Sequence, residues 1–300
     1  MRLVTYVSDG KERVGVISRD ETYVYPIRSA ELDYKSMNEL IAGISKAEAE
    51  RLTALTNKDG SRAQDVPGAV PMNEVVFKAP IPHPNQDIIC LGINYMEHAK
   101  EAAKYKEDAF GGERPYAIYF SKRVNEAVAT GENIPAHEEL VDSLDYECEL
   151  AVIIGKDALN VAKEDAEQYI FGYTIINDVS ARNVQTQHKQ WYFGKSLDGF
   201  TPMGPCITTR DDIEFPPKLK IQSKVNGELR QDSNTELLIF DIAHVISELS
   251  HGMKLKAGTI IAMGTPSGVG MGFTPPKFLK PGDVVECIIE GIGSIKNEVK

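Results

Sequence analysis

Cysteine is scarce in this sequence, and its cysteines are not paired along the chain. The 300 residues include four cysteines, at positions 90, 148, 206 and 287, and no two of them form a C-x-x-C pair. This spacing disfavours a zinc site or a disulfide framework and favours buried free thiols. We therefore expect a protein of the reducing cytoplasm.

Positive charge is also in short supply. The sequence has 33 basic and 44 acidic residues, a formal net charge of −11. Binding to nucleic acid needs a basic surface that faces the phosphates, so we expect no nucleic-acid partner. A small anionic substrate is still compatible with this charge, because a local cation or a metal ion is enough to hold it.

Long apolar runs are absent as well. The longest stretch without charge, residues 257–276, is interrupted by glycine and proline and is not a membrane span. The first ten residues contain charge too early for a secretory signal peptide. We expect neither a membrane partner nor export from the cytoplasm.

The first 80 residues have the pattern of a small α+β domain. Asp9-Gly10 is a strong turn signal between two apolar strands and predicts a hairpin. Ser36 and Ser45 precede two helical segments and are predicted N-caps. The prolines at positions 80, 82 and 84 mark the boundary with a second domain. We predict domains at 1–80 and 81–300.

The second domain has many short strand patterns and few helices. Apolar segments bounded by turn residues recur through residues 87–289, and residues 241–250 form an amphipathic helix. This balance argues against a doubly wound parallel sheet and favours a β-roll or sandwich. The predicted fold class is α+β, mainly β.

An unusual group of acids opens the strand pattern at residues 145–155. Asp145, Glu147 and Glu149 alternate along it, so a strand would place them on one face. Asp178 follows the next apolar run. Such acids repel one another, and a hard cation such as Mg²⁺, Mn²⁺ or Ca²⁺ would remove that cost. The alternative is a solvated edge strand with acidic decoration.

Other polar residues have a functional and an ordinary interpretation. His98 and Glu101 are three apart on a predicted helix and can form a general-base pair or a simple surface pair. Lys195 is isolated among uncharged residues and would ordinarily be a surface lysine. Arg182 and Gln185 can share a helix face, on a binding site or on an exposed surface.

Four ordered motifs carry a resemblance to a known family. Together they strongly resemble the fumarylacetoacetate hydrolase family over about residues 84–300, while residues 1–80 are absent from its minimal form. The motifs are Asp145-Tyr146-Glu147-x-Glu149-Leu150, Phe171-Gly172-Tyr173-Thr174-x-x-Asn177-Asp178-Val179-Ser180-Ala181-Arg182, Gly194-Lys195-Ser196-x-Asp198-x-Phe200-x-Pro202-x-Gly204-Pro205 and Gly264-Thr265-Pro266-Ser267-Gly268-Val269-Gly270.

The resemblance implies a mixed β-roll, a homodimer and a site that holds a divalent metal, usually Mg²⁺ or Mn²⁺. It implies that Asp145 is not a ligand, which leaves that residue behind the site or in solvent. It also implies a lid helix that carries His98 and Glu101, and the glycines that follow it, Gly111-Gly112, are the hinge that we expect for this lid. The implied metal ligands are Glu147, Glu149 and Asp178; the implied catalytic residues are His98, Glu101 and Lys195; the implied substrate-binding residues are Arg182, Gln185 and Thr265.

The function that these expectations favour is hydrolysis of a C–C bond in an acylpyruvate or fumarylpyruvate-like 2,4-dioxo acid. An oxaloacetate decarboxylase would use the same metal and enolate stabilisation without an attacking water. An isomerase or hydratase of 2-oxo dienoates and a non-catalytic metal-binding protein are further alternatives. The length and charge of the substrate depend on loops near residues 105–114 and 185–192, whose geometry the sequence does not give.

Overall fold

The fold class predicted from the sequence is confirmed. The structure, a computed structural model, describes residues 1–58, 60–103 and 115–300. More of these residues lie in strands than in helices, and the sheets are mixed. The expected hinge at Gly111-Gly112 and the loop near residues 105–114 lie outside the described residues.

The elements are numbered in chain order. The helices are α1 (Met37–Gly43), α2 (Lys46–Thr56), α3 (Met96–Ala103), α4 (Arg182–Gln187), α5 (Tyr192–Lys195) and α6 (Ile242–Gly252). The strands are β1 (Arg2–Ser8), β2 (Lys11–Ile17), β3 (Tyr23–Pro26), β4 (Val70–Pro71), β5 (Val76–Lys78), β6 (Ile88–Gly92), β7 (Ile118–Lys122), β8 (Asn133–Ile134), β9 (Leu144–Asp145), β10 (Cys148–Ile154), β11 (Ile170–Asn177), β12 (Ser180–Ala181), β13 (Met203–Thr209), β14 (Lys220–Val225), β15 (Glu228–Asn234), β16 (Ile260–Ala262), β17 (Val284–Ile289) and β18 (Gly293–Val299).

One large mixed sheet organises the molecule. Among the described residues it has eleven strands, in the order β4-β3-β2-β1-β13-β11-β10-β16-β6-β7, with β5 paired to β1. Strands β16 and β6 are parallel, and the other paired strands of this sheet are antiparallel. Strands β10 and β11 lie at its centre, so the acids at their ends sit deep in the protein.

A second sheet packs against the first. It has the order β15-β14-β17-β18-β8. Its apolar side chains share one buried cluster with the central strands of the large sheet and with α6, as expected for a β-roll or sandwich. Members of this shared cluster are Leu150, Val152, Ile175, Ile221, Val245, Val285, Ile289 and Ile295.

The first 80 residues contain the elements predicted for them. Strands β1 and β2 form the hairpin at Asp9-Gly10. The hydroxyl of Ser36 accepts a hydrogen bond from the backbone N–H of Glu39, and Ser45 and Glu48 form a reciprocal capping box. These contacts satisfy N–H groups that a helix start leaves unpaired.

The same residues are joined to the rest of the fold by strand pairing and by packing. Strand β1 pairs with β13 of the large sheet, with Leu3 opposite Ile207. Ile153 of β10 belongs to the buried cluster that includes α1 and α2. Because Glu149 and Ile153 lie on the same face of β10, this segment covers the face that carries Glu149. The division at residue 80 stays a prediction.

The prediction of one continuous strand at residues 145–155 is wrong. Asp145 ends β9, which pairs with β12, and β10 begins only at Cys148. Three seven-residue strands were also missed by the sequence patterns: β13 contains Gly204-Pro205, β15 is largely polar, and β18 alternates only weakly. None of the helices in the described ranges is long and apolar enough to cross a membrane.

Candidate active site

Three carboxylates meet at the ends of the central strands. Glu147 precedes β10, Glu149 lies within it, and Asp178 follows β11 directly. The pairing continues past the strands, because the N–H of Asp178 donates to the carbonyl of Glu147 at 2.8 Å. One oxygen from each acid lies within 4.8 Å of the others, and all three residues are buried.

Two buried lysines contact this cluster. The Nζ atom of Lys195 lies 2.8 Å from Oε2 of Glu147 and 2.7 Å from Oδ2 of Asp178. The Nζ atom of Lys122 donates to Oδ1 of Asp178 at 2.6 Å and to the carbonyl of Val179 at 3.0 Å. Lys122 is fully buried at the end of β7, and it was not among the site residues expected from the sequence.

The charges within the cluster are unevenly balanced. Burial would raise the pKa of Glu147, but Lys195 and Arg182 outweigh it and hold that pKa below its ordinary value. Burial, followed by the charges of Asp178 and Glu147, raises the pKa of Glu149 well above its ordinary value. The carboxylate of Glu149 accepts a hydrogen bond from the N–H of Gly264 at 2.9 Å. Glu149 is therefore the acid whose charge the protein compensates least.

The guanidinium of Arg182 lies beside Glu147. Its Nη1 atom is 2.6 Å from Oε1 of Glu147 and 3.2 Å from Oε1 of Gln185, so the two predicted binding residues are neighbours on α4. Its Nε atom donates to Asp145 at 2.9 Å. Asp145 was expected either behind the site or in solvent. It is fully buried and therefore lies behind the site.

The predicted His–Glu pair is present on α3. The Nδ1 atom of His98 lies 3.1 Å from Oε2 of Glu101. The carboxylate of Glu101 also accepts from the N–H of Gly268, at 3.1 Å to Oε1. A carboxylate on Nδ1 orients an imidazole and leaves Nε2 for a second partner.

Thr265 lies where the turn after β16 meets β10. Its hydroxyl donates to the carbonyl of Cys148 at 2.9 Å and accepts from the side chain of Gln231 at 2.7 Å. Gln231 in turn accepts from the N–H of Cys148 at 3.1 Å. The hydroxyl is therefore already engaged, and this buried network fixes the backbone of the turn beside the acids.

These groups surround one cavity of about 480 Å³. Its apolar walls include Trp191, Phe120 and Val269, and Lys189 lies at its rim. Lys189 has a left-handed backbone, with φ of 60°, although it is not glycine. The predicted site residues that line the cavity are His98, Glu101, Glu147, Arg182, Gln185, Lys195 and Thr265.

One known protein family matches most of this chain. Residues 87–300 match the family model described as fumarylacetoacetate (FAA) hydrolase, C-terminal. The chain belongs to the fumarylacetoacetate hydrolase family. Members of this family are metal-dependent enzymes that act on small organic acids.

Relatives within the family carry different activities. The chain is 47% identical over 228 residues to oxaloacetate tautomerase YisK of Bacillus subtilis (strain 168), which covers 76% of this chain and 74% of that protein. It is similar to the fumarylacetoacetate hydrolase of Exiguobacterium antarcticum, with 37% identity, a TM-score of 0.82 and coverage of 100% and 99% of the two chains.

A third similar structure is maleylpyruvate hydrolase from Sphingobium sp. SYK-6, in complex with manganese(II) ion and pyruvate. The identity is 29%, the TM-score is 0.76, and the match covers 100% of this chain and 98% of that one. Hydrolases and a tautomerase thus share the family fold, so family membership alone does not give the reaction.

The acids of the cluster have the donor chemistry that a hard divalent cation requires. Mg²⁺ and Mn²⁺ prefer oxygen ligands, and Glu147, Glu149 and Asp178 offer carboxylates at a spacing that a single ion can bridge. The raised pKa of Glu149 reports negative charge crowded into a buried space. A cation at this position would offset that repulsion, so the residues fit the metal that the family implies.

The structure adds residues that sequence reasoning passed over. Lys122 ends an apolar strand pattern, and its charge at that point was the only signal. Gln231 lies in a polar strand that gave none. Asp145 was noticed for its place in the motif, yet its contact with Arg182 depends on the interruption of the strand at residues 146–147.

Proposed function

We propose that this protein is a metal-dependent tautomerase of oxaloacetate, converting its enol and keto forms. The observation that carries the proposal is the His98–Glu101 pair on the same cavity as Arg182 and Glu147, the member of the acid cluster that lines it. The similarity to the tautomerase YisK supports oxaloacetate as the substrate. We propose Glu147, Glu149 and Asp178 as the ligands of Mg²⁺ or Mn²⁺, with Ca²⁺ as an alternative.

The substrate would be held by its two negative ends. The Nη2 atom of Arg182 is buried and has no hydrogen-bond partner among the described residues, so it is free to bind a carboxylate. Gln185 lies beside it. The backbone of Thr265, rather than its engaged hydroxyl, is available to the carboxylate next to the keto group.

The reaction moves one proton between carbon and oxygen. The bound ion supplies Lewis-acid polarisation of the 2-oxo group. Lys195, buried beside the acids, adds positive charge where the enolate oxygen develops. In the keto-to-enol direction His98, oriented by Glu101, takes a proton from C3 and the 2-oxygen gains one; in the reverse direction the enol oxygen loses its proton and His98 delivers a proton to C3.

A second candidate is hydrolysis of an acylpyruvate, as expected from the sequence. The same His98–Glu101 pair could activate water against the distal carbonyl, and the similarity to maleylpyruvate hydrolase favours it. Decarboxylation of oxaloacetate and isomerisation or hydration of dienoates differ again in their products.

The products distinguish these reactions. Oxaloacetate and acetylpyruvate are incubated with the protein, with Mg²⁺, with Mn²⁺ and with chelator, and followed by NMR. Faster enol–keto exchange without net loss of oxaloacetate supports the tautomerase. Release of acetate and pyruvate from acetylpyruvate supports the hydrolase, and pyruvate from oxaloacetate above the metal-only rate supports the decarboxylase.

Two expectations about the protein in the cell accompany this proposal. The four cysteines are free and buried, which is compatible with a reducing cytoplasm. A homodimer remains a prediction from the family, and light scattering of the purified protein tests it directly.

A further inference from the structure

Asp145 is surrounded by hydrogen-bond donors and does not itself line the cavity. Its Oδ1 atom accepts from the N–H groups of Tyr146 at 2.9 Å and Gly270 at 2.6 Å. Its Oδ2 atom accepts from the N–H of Met271 at 3.0 Å and from Nε of Arg182 at 2.9 Å. The side chain is fully buried, so these four donors replace all of its contact with water.

The donors of Arg182 are divided between the protein and the cavity. Nε is engaged by Asp145, and Nη1 by Glu147 and Gln185. Nη2 is buried without a partner among the described residues, although buried donors are nearly always paired. Because the guanidinium is planar, fixing Nε and Nη1 fixes the direction in which Nη2 points.

Asp145 thus sets two walls of the cavity at once. Arg182 and Met271 both line the cavity, and both are bound to the same carboxylate oxygen. The neighbouring Gly270 leaves no room for a side chain, since a Cβ there would lie 2.6 Å from Oδ1 of Asp145. Asp145 therefore fixes the loop at 270–271 relative to α4, beside the unpartnered Nη2 atom.

We infer that Asp145 is a positioning residue that presents Arg182 Nη2 to the distal carboxylate of the substrate. The inference rests on the proposed function, because it requires an anionic 2-oxo acid with a second carboxylate. On this inference, the preference of the protein for a dicarboxylate over a monocarboxylate depends on a residue that does not line the cavity and does not contact the substrate.

The substitution Asp145→Asn tests this role with little change of shape. The asparagine side chain has one accepting oxygen and one donating NH₂ group. Its NH₂ group must therefore face two donors, either those of Arg182 and Met271 or those of Tyr146 and Gly270. Asp211→Asn is the matched control, since the Asp211 side chain is 84% exposed and is not part of the cavity lining.

The measurement is binding of malate and of lactate to the Mn²⁺-loaded protein by calorimetry. Both are unreactive 2-hydroxy acids, and only malate has the distal carboxylate. We expect wild type and Asp211→Asn to prefer malate and Asp145→Asn to lose at least about tenfold of that preference, the scale of one hydrogen bond to a charged group. Lactate binding should change little.

A double-mutant cycle separates positioning from a general structural role. If Asp145 acts through Arg182, then Asp145→Asn should not further reduce the malate preference of Arg182→Lys. An equal loss of malate and lactate binding in Asp145→Asn would overturn the inference, as would an unchanged preference. If wild type binds neither anion, both the inference and the proposed function fail, whereas the other two outcomes leave the proposed function standing.

Discussion

The ammonium of Lys195 lies 2.7 Å from the carboxylate of Asp178, and both side chains are almost fully buried. These residues come from different elements, the end of α5 and the end of β11. Desolvation opposes the charge on Lys195, but Asp178 and then Glu147 outweigh it and raise the pKa of the lysine. Lys195 is thus held as a cation beside acids that are suited to bind a metal.

We predict that His98→Ala lowers kcat for the enol–keto conversion by about 10²–10⁴-fold, the usual contribution of a positioned acid–base group. Mn²⁺ binding should be nearly unchanged, because the imidazole is not a proposed ligand. The decay of the enol absorbance gives the rate. His251→Ala is the control, since His251 is exposed on α6, and a rate in His98→Ala equal to that control would rule out His98 as the proton carrier.

We predict that Glu149→Gln separates metal binding from folding. The substitution keeps the shape and removes a negative charge that Asp178 and Glu147 repel. Without metal the variant should therefore melt at or above the wild-type temperature, while the stabilisation produced by Mn²⁺ should be largely lost. The exposed Glu164→Gln serves as control, and a full Mn²⁺ response in Glu149→Gln would contradict the assigned ligand.

Lys122→Met tests the second buried lysine. It removes the ammonium that contacts Asp178 and the carbonyl of Val179, and leaves a buried carboxylate with one cation fewer. Breaking a buried pair costs about 3–5 kcal/mol when the remaining charge has no other partner. Because Lys195 still contacts Asp178, the free energy of unfolding in urea should fall by up to that amount. Lys296→Met, at an exposed position, should change it little; equal stabilities of the two variants would show that Lys122 is dispensable.

The ion pair between Lys78 in β5 and Glu132 in the segment after β7 should make a pH-dependent contribution to the free energy of unfolding. Lys78 Nζ lies 2.8 Å from Oε1 of Glu132. Burial would raise the pKa of Glu132, but its hydrogen bonds to Lys78 and to the N–H of Ala129 outweigh it and lower that pKa. The contact with Glu132 raises the pKa of Lys78.

The sign of the effect follows from these directions. The contribution of Glu132 is present above its unfolded pKa of about 4.3 and is lost as the pH falls through the lower folded value. The contribution of Lys78 is present below about pH 10.4 and is lost as the pH rises through the higher folded value.

Glu132→Gln should therefore lower the free energy of unfolding by up to about 1 kcal/mol near pH 7, because the pair is partly exposed, and by less in acid. Urea unfolding measures the cost, with Glu138→Gln as control; a cost that grows in acid would contradict the pairing.

Local signals in the sequence were enough for part of the fold. Ser36 and Ser45 each begin a helix because the side chain that caps the first turn is next to it in the chain. The family resemblance implied that Glu147, Glu149 and Asp178 act together, and one oxygen of each lies within 4.8 Å of the others.

Contacts between distant segments could not be read in the same way. Lys122 reaches Asp178 across 56 positions, through a strand order that no local pattern encodes. The acids at 145, 147 and 149 were expected on one face of a single strand. Asp145 does not share that face, because β9 pairs with β12 and does not continue into β10. Its partners Arg182, Gly270 and Met271 come from two later segments.

The most direct test of the proposed function is the decay of enol-oxaloacetate absorbance with Mn²⁺, in the presence of wild-type protein, of Glu149→Gln or of no protein. Wild type should accelerate the decay well above the rate with Mn²⁺ alone, and Glu149→Gln should return it to that rate. If the decay with wild type equals the rate with Mn²⁺ alone, the protein is not an oxaloacetate tautomerase.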